Sequence, residues 1–284
     1  MTVPFRFAIC NEVFEKASLA AACKHARELG YEGIELAPFT FGEDPAALTE
    51  TDCTQMRKVI EKEGLEFVGL HWLLVGPSGL HATTRDETVR KRTWGYIHRM
   101  IDICADIAGS KAQDNGLLVF GSPKQRSSTN GMTPREACDV FTHELAHAAP
   151  HAESRGVKIL VEALPLDQSD VVNTLADAVA IVRQIGSPAI QTMFDTHNAV
   201  EEVESHAVLV DRYFDAIRHV HVNEMDGSHP SRGDYDFRPV LTILKQRGYQ
   251  GWVSLEAFDF SMPPEVIVTE TIDYLKQISE RLPE

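Results

Sequence analysis

Four short apolar runs in the second half of the chain each end on an ionisable side chain: Ile159-Leu160-Val161-Glu162, Met193-Phe194-Asp195, His219-Val220-His221 and Val253-Ser254-Leu255-Glu256. Successive ends are roughly 26 to 35 residues apart, each close to one strand-plus-helix unit. A carboxylate at the end of an apolar strand is costly to desolvate, and three brought together repel one another. A divalent cation removes both penalties. Three carboxylate oxygens and one imidazole nitrogen form a fairly hard donor set, which puts Mn2+ first, then Mg2+, ahead of Zn2+, and admits Co2+. Any one of these residues alone reads equally well as a solvated strand end or half of a salt bridge. Four at unit spacing argue for a shared ion.

Elements that place four such groups on one rim must repeat. Candidate strands are Phe5–Cys10, Gly33–Leu36, Glu66–His71, Leu117–Gly121, Lys158–Glu162, Ile190–Asp195, Ile217–Asn223 and Trp252–Glu256. Most are continuous apolar runs, the pattern of strands covered on both faces of a parallel sheet. Between them lie helical segments, and many stop at a glycine: Ala17–Leu29 before Gly30, Thr51–Glu63 before Gly64, Thr174–Ile185 before Gly186 and Phe237–Arg247 before Gly248. Asp86–Ile107, Pro134–Ser154, Val203–Phe214 and Pro264–Glu280 complete the helical set. One local formula, Gly-Tyr-x-Gly, leads into both the second and the eighth strand. The expected fold is α/β: a single (β/α)8 TIM barrel spanning residues 1–284, with the metal site at its C-terminal face. A doubly wound dinucleotide-binding sheet would show GxGxxG after its first strand, where this chain has Cys10-Asn11-Glu12.

The 284 residues are 43% hydrophobic and 24% charged, so the chain can bury a sizeable core. A net charge of −15 repels nucleic-acid backbones and anionic membranes. The five cysteines are scattered and form no CxxC pair, against a disulfide framework or a structural zinc site. The opening MTVPFRFAIC lacks a basic-then-apolar leader, and no apolar run spans a bilayer. These features point to a cytoplasmic protein with no membrane or nucleic-acid partner.

The segments Val161-Glu162, Phe194-Asp195-Thr196, His219-Val220-His221, Gly233-Asp234-Tyr235-Asp236-Phe237 and Gly248-Tyr249-Gln250-Gly251-Trp252-Val253-Ser254-Leu255-Glu256 resemble the xylose-isomerase-like TIM barrels, which include sugar isomerases, ketose 3-epimerases and apurinic endonucleases. The resemblance covers essentially the whole chain. It implies one divalent metal held by Glu162, Asp195, His221 and Glu256. It also implies that Glu162 and Glu256 move the proton in an isomerase or epimerase acting on a sugar or sugar derivative through an enediolate. Barrels similar to this one are often dimers or tetramers, which implies a homo-oligomer. Three departures bear on the substrate. His197 follows the ligand Asp by two residues where ketose 3-epimerases place a His at three. Gly227 stands where those enzymes carry an Arg, and Gln168 where they carry a further Glu. The substrate is therefore expected to be something other than a ketohexose held in their usual way.

Weaker candidates for substrate contact are His71 at the end of the third strand, Lys124 or Arg126 after the fourth, His197, and Arg232 after the seventh. His219 is expected to face the helices. Rival readings are a lyase, dehydratase or decarboxylase of an oxidised sugar at the same site, an apurinic endonuclease, which the net charge opposes, and a non-catalytic metal- or sugar-binding barrel.

Overall fold

Eight parallel strands hydrogen-bond in sequence order and the last returns to the first, closing a barrel. The computed structural model describes residues 4–14, 17–109 and 116–283. The strands are β1 (Arg6–Cys10), β2 (Gly33–Leu36), β3 (Glu66–Leu70), β4 (Leu117–Phe120), β5 (Lys158–Val161), β6 (Ile190–Asp195), β7 (Ile217–Val222) and β8 (Trp252–Leu255). The helices are α1 (Leu19–Leu29), α2 (Glu50–Lys62), α3 (Glu87–Ala108), α4 (Pro123–Arg126), α5 (Pro134–Arg155), α6 (Leu175–Ile185), α7 (His206–Tyr213), α8 (Arg238–Gln246) and α9 (Pro264–Ser279). The expected eight-strand order holds. Most strands end a residue before the sequence pattern suggested, and α4 is a single turn that periodicity could not announce.

Two stretches of chain pack most densely within themselves. In the one formed by the chain up to Glu35, Lys58–Val68 and Met193 onward, β1 is flanked by β2 and β8, with Cys10 opposite Glu35 and Ala8 opposite Ser254. On the other side of β8, His221 of β7 lies opposite Ser254. In the other, formed by Leu36–Arg57 and Gly69–Thr192, β4 pairs with β3 and β5, and Val161 of β5 lies opposite Thr192 of β6.

Helix ends follow from local chemistry. Thr133 caps α5 and Glu136 returns the favour, and Thr174 with Asp177 does the same for α6. Gly30, Gly156 and Gly186 close α1, α5 and α6 in the left-handed conformation that lacks a penalty only for glycine. Long helices bury one face: Trp94, Ile97, Ile101 and Cys104 of α3 are buried, as are Phe141 and Leu145 of α5. Phe120 of β4 meets Phe141 edge-on, ring centres 5.0 Å apart, and Trp94 lies 5.7 Å from Phe120. This packing fixes the strand ends that carry the polar residues. All five cysteines are free thiols. Among the described residues, no helix is long and apolar enough to cross a membrane.

Candidate metal centre

Glu162 is the first residue past β5, and Glu256 the first past β8. Asp195 ends β6 and His221 is the last but one of β7. Each of the four therefore sits where a parallel strand hands over to its loop. All four are buried, and each offers a donor atom within 4.8 Å of the others. Three carboxylates gathered around one imidazole leave an excess of negative charge in a place that water barely reaches. That donor set fits a divalent cation and fits little else.

Each ligand candidate is steadied by its own neighbourhood. Arg126, fully buried in α4, donates from Nη1 to the carbonyl oxygens of Phe120 (2.7 Å) and Glu162 (2.8 Å), joining the ends of β4 and β5. Asp195 accepts from the Asn198 backbone N–H at 2.7 Å. The Asn223 side chain is a brace. Its amide nitrogen donates to the Glu256 carbonyl (3.0 Å) and to Asp195 Oδ2 (3.4 Å), and its oxygen accepts from Thr196 Oγ1 (2.8 Å) and the His197 N–H (2.8 Å).

His221 looks two ways. Its Nδ1 lies 2.9 Å from Glu256 Oε2 and 3.6 Å from Asp195 Oδ2. Its Nε2 lies 3.3 and 3.2 Å from the two oxygens of Glu35. Burial alone would lower the pKa of this imidazole, but the charges of Glu256 and Glu35, with Cys10 and Asp195, hold it well above the ordinary histidine range. Glu35 behaves in the opposite sense. Burial would raise its pKa, and the two histidines hold it well below the usual carboxylate range.

His219 does not face the helices. It is fully buried, donates from Nε2 to Glu35 Oε1 at 2.8 Å, and has its ring centre 4.8 Å from that of His221. Residues two apart on a strand share a face, so His219 and His221 had to point together. Glu35 and Asn223 contact the candidate ligands and were passed over in the sequence. Glu35 was readable as a charged residue inside the apolar run Gly33–Leu36, a misfit that required a buried partner.

Of the other candidates, His71 stays near the ligand set, with a ring nitrogen within 4.8 Å of donor atoms of Glu256 and Glu12, and the rest lie in separate surroundings. His71 is fully buried just past β3, its backbone N–H on the Leu36 carbonyl. His197 is half-buried. Its Nδ1 donates to the Met225 carbonyl at 2.9 Å and its ring rests against Phe258 at 5.1 Å. Gly227 completes that corner: it has a φ of +83°, and a β-carbon there would lie 3.2 Å from Phe258 Cβ and 3.6 Å from His197 Cε1. A long side chain at 227 would need this corner repacked. Lys124 is exposed on α4, whereas Arg126 is committed to backbone carbonyls. Arg232 is exposed in a loop that buried Glu224 closes by accepting from the Ser231 and Tyr235 backbone N–H groups. Gln168 is half-buried in the loop after β5.

The sequence-family comparison agrees with this architecture: residues 23–278 match the xylose isomerase-like TIM barrel model, and the chain belongs to that family. It is 30% identical over 246 residues to D-psicose 3-epimerase of Agrobacterium fabrum, covering 81% of this chain and 76% of that one. It is 25% identical over 244 residues to a probable ketose 3-epimerase of Synechocystis sp., covering 83% and 77%. Among solved structures, L-ribulose 3-epimerase superposes with a TM-score of 0.83 at 19% identity, covering 98% of this chain and 95% of that one, which bears on the fold.

Proposed function

We propose that this protein is a divalent-metal-dependent epimerase or isomerase of a sugar or sugar derivative, cytoplasmic and assembled as a homo-oligomer. The observation that carries the activity is the buried set of Glu162, Asp195, His221 and Glu256, in a chain whose relatives include ketose 3-epimerases. A divalent ion held by these four, Mn2+ foremost, would supply Lewis-acid stabilisation of the negative charge that develops on the substrate oxygens.

Glu162 and Glu256 come from strands three apart in the barrel order and reach the substrate from different sides. One carboxylate removes the proton from the carbon next to the carbonyl, leaving an enediolate, and the other carboxyl group returns a proton. Return to the same carbon gives the epimer, and return to its neighbour gives the isomer. Asp195 and His221 hold the ion. His71, Lys124, His197 and Arg232 are the proposed substrate contacts. Of them, His71 has a ring nitrogen within 4.8 Å of a donor atom of Glu256.

A panel of ketoses, aldoses and 3-keto sugars incubated with the Mn2+-loaded protein in deuterated water tests the reading. The expected result is deuterium at the carbon next to the carbonyl, lost in both Glu162→Gln and Glu256→Gln. Full turnover in Glu256→Gln would end the two-carboxylate mechanism, and a β-eliminated or decarboxylated product would move the enzyme to the lyase class. Light scattering on the purified protein tests assembly.

A further inference from the structure

We infer that Glu35 is a positioning residue for the metal centre, acting through His221, and that His219 locks Glu35 in that task. The inference rests on the reading above only in taking His221 as a ligand.

The geometry divides the His221 ring between two environments. Nδ1 faces Glu256 and Asp195, while Nε2 faces both oxygens of Glu35 at nearly equal distances of 3.3 and 3.2 Å. A neutral imidazole can give a lone pair from one nitrogen only if the other carries the proton. A carboxylate opposite Nε2 keeps the proton there and leaves Nδ1 open toward the ligand set. It also fixes the ring's rotation and raises its basicity, as outer carboxylates do for ligating histidines.

Glu35 is itself held. It lies opposite Cys10 on β1 and is fully buried, and among the described residues no Lys or Arg side chain is bonded to it. Among the described residues its side-chain partners are the two imidazoles, and His219 Nε2 donates to Oε1 at 2.8 Å. The other nitrogen of His219, Nδ1, is buried and has no hydrogen-bond partner. A neutral His219 with its proton on Nε2 leaves that atom as a bare acceptor, so among the described residues the ring's hydrogen bond is the one it donates to Glu35. A buried carboxylate beneath a ligand histidine is expensive unless something uses it. Orientation of His221 is that use.

The test measures Mn2+ binding by calorimetry on wild type, Glu35→Gln, Glu35→Asp and His219→Gln, alongside metal-free unfolding curves. Glu35→Gln should weaken Mn2+ binding by about 10- to 100-fold. Glu35→Asp should recover part of the loss and His219→Gln should lose less than Glu35→Gln. At saturating Mn2+, kcat of Glu35→Gln should return toward wild type while the apparent metal constant stays weak, a split that a purely structural role would not give. Nitrogen-15 NMR of the wild-type protein loaded with Mg2+ reads the same point with no substitution: His221 should carry its proton on Nε2. Wild-type Mn2+ affinity in Glu35→Gln, or a proton on Nδ1, overturns the inference. Wild-type protein that binds no Mn2+ overturns the metal reading instead, so the two failures are told apart.

Discussion

The carboxylate of Glu162 occupies the space that a side chain on Gly121 would need. A β-carbon built on Gly121 runs into Glu162 Oε2 and sits 3.3 Å from its Cδ. The backbone at 121 is not left-handed, so glycine is required there for room and not for conformation. The atom in the way is the free end of a flexible side chain, which can swing aside. Gly121→Ala should therefore fold with a stability within about 1 kcal/mol of wild type, yet lose at least about tenfold in Mn2+ affinity and turnover as the carboxylate is displaced. A thermal melt and a Mn2+ titration on the same sample check it. Unchanged affinity would detach Glu162 from the metal centre.

Arg126 ties the ends of β4 and β5 through two carbonyls, while among the described residues its Nε and Nη2 have no hydrogen-bond partner. Burial pushes its pKa down to about 10, opposed by the Glu162 charge, so it remains a cation near neutral pH. Truncation removes two charge-assisted bonds and strands two buried carbonyl oxygens, but it also relieves a poorly satisfied buried charge. The bonds should win: Arg126→Met is expected to lose about 2 to 3 kcal/mol in urea unfolding. Arg126→Lys should lose most of that too, because a lysine ammonium ends one bond short of the position from which Nη1 reaches both carbonyls. Equal stability in Arg126→Met would show that charge burial cancels the bonds.

The barrel was legible because its signals are local and repeated. Gly30, Gly64 and Gly186 stop helices, apolar runs such as Leu117–Phe120 mark strands buried on both faces, and Glu162, Asp195, His221 and Glu256 stand out as charges at the ends of such runs. What escaped depends on contacts between residues far apart in sequence. Glu35 and His221 are separated by 186 positions, and nothing within either strand announces the pairing. Asn223 looks like an ordinary strand terminus until β6 and β8 are beside it. Arg126 looked like a cation in a loop, and one turn of α4 aimed it inward. His219 shares the inward face of His221, as the two-residue period of a strand requires, and not the helix-facing side expected from the sequence.

His206, the first residue of α7, joins the loop after β6 to Tyr235. His206 Nε2 lies 3.0 Å from the Ala199 carbonyl and Nδ1 lies 2.7 Å from the Tyr235 hydroxyl. The neutral ring donates from Nε2 and accepts at Nδ1, satisfying both. Burial lowers its pKa below the ordinary histidine value, with the Ala199 bond and nearby acids opposing. A folded-state value below the unfolded one, about 6.5, means that the unfolded chain takes up the proton more readily. The stability that His206 contributes is thus complete above about pH 6.5 and is lost as the pH falls through the folded-state value. His206→Gln should be less stable than wild type by about 1 kcal/mol at pH 7.5, and the gap should narrow toward pH 5. A constant gap across that range would mean that His206 does not titrate with folding.

Removing the proposed ion should expose the repulsion among the carboxylates it would relieve. Without it, three carboxylates and one imidazole share a region in which all donor atoms lie within 4.8 Å, and Asp195 relies on the Asn198 and Asn223 amides and on His221 Nδ1 at 3.6 Å. Chelator-treated protein should lose turnover and melt at a lower temperature. Adding Mn2+ should restore both, with a stabilisation that grows as the logarithm of ion concentration and reaches about 2.7 kcal/mol at one hundred times the dissociation constant. The same titration on Asp195→Asn separates this centre from adventitious binding. The variant removes one charge from the ligand set while keeping an oxygen for the Asn198 N–H, so the folded chain should survive and the Mn2+-induced rise in melting temperature should shrink sharply. A rise as large as that of wild type would place the stabilising ion at other residues.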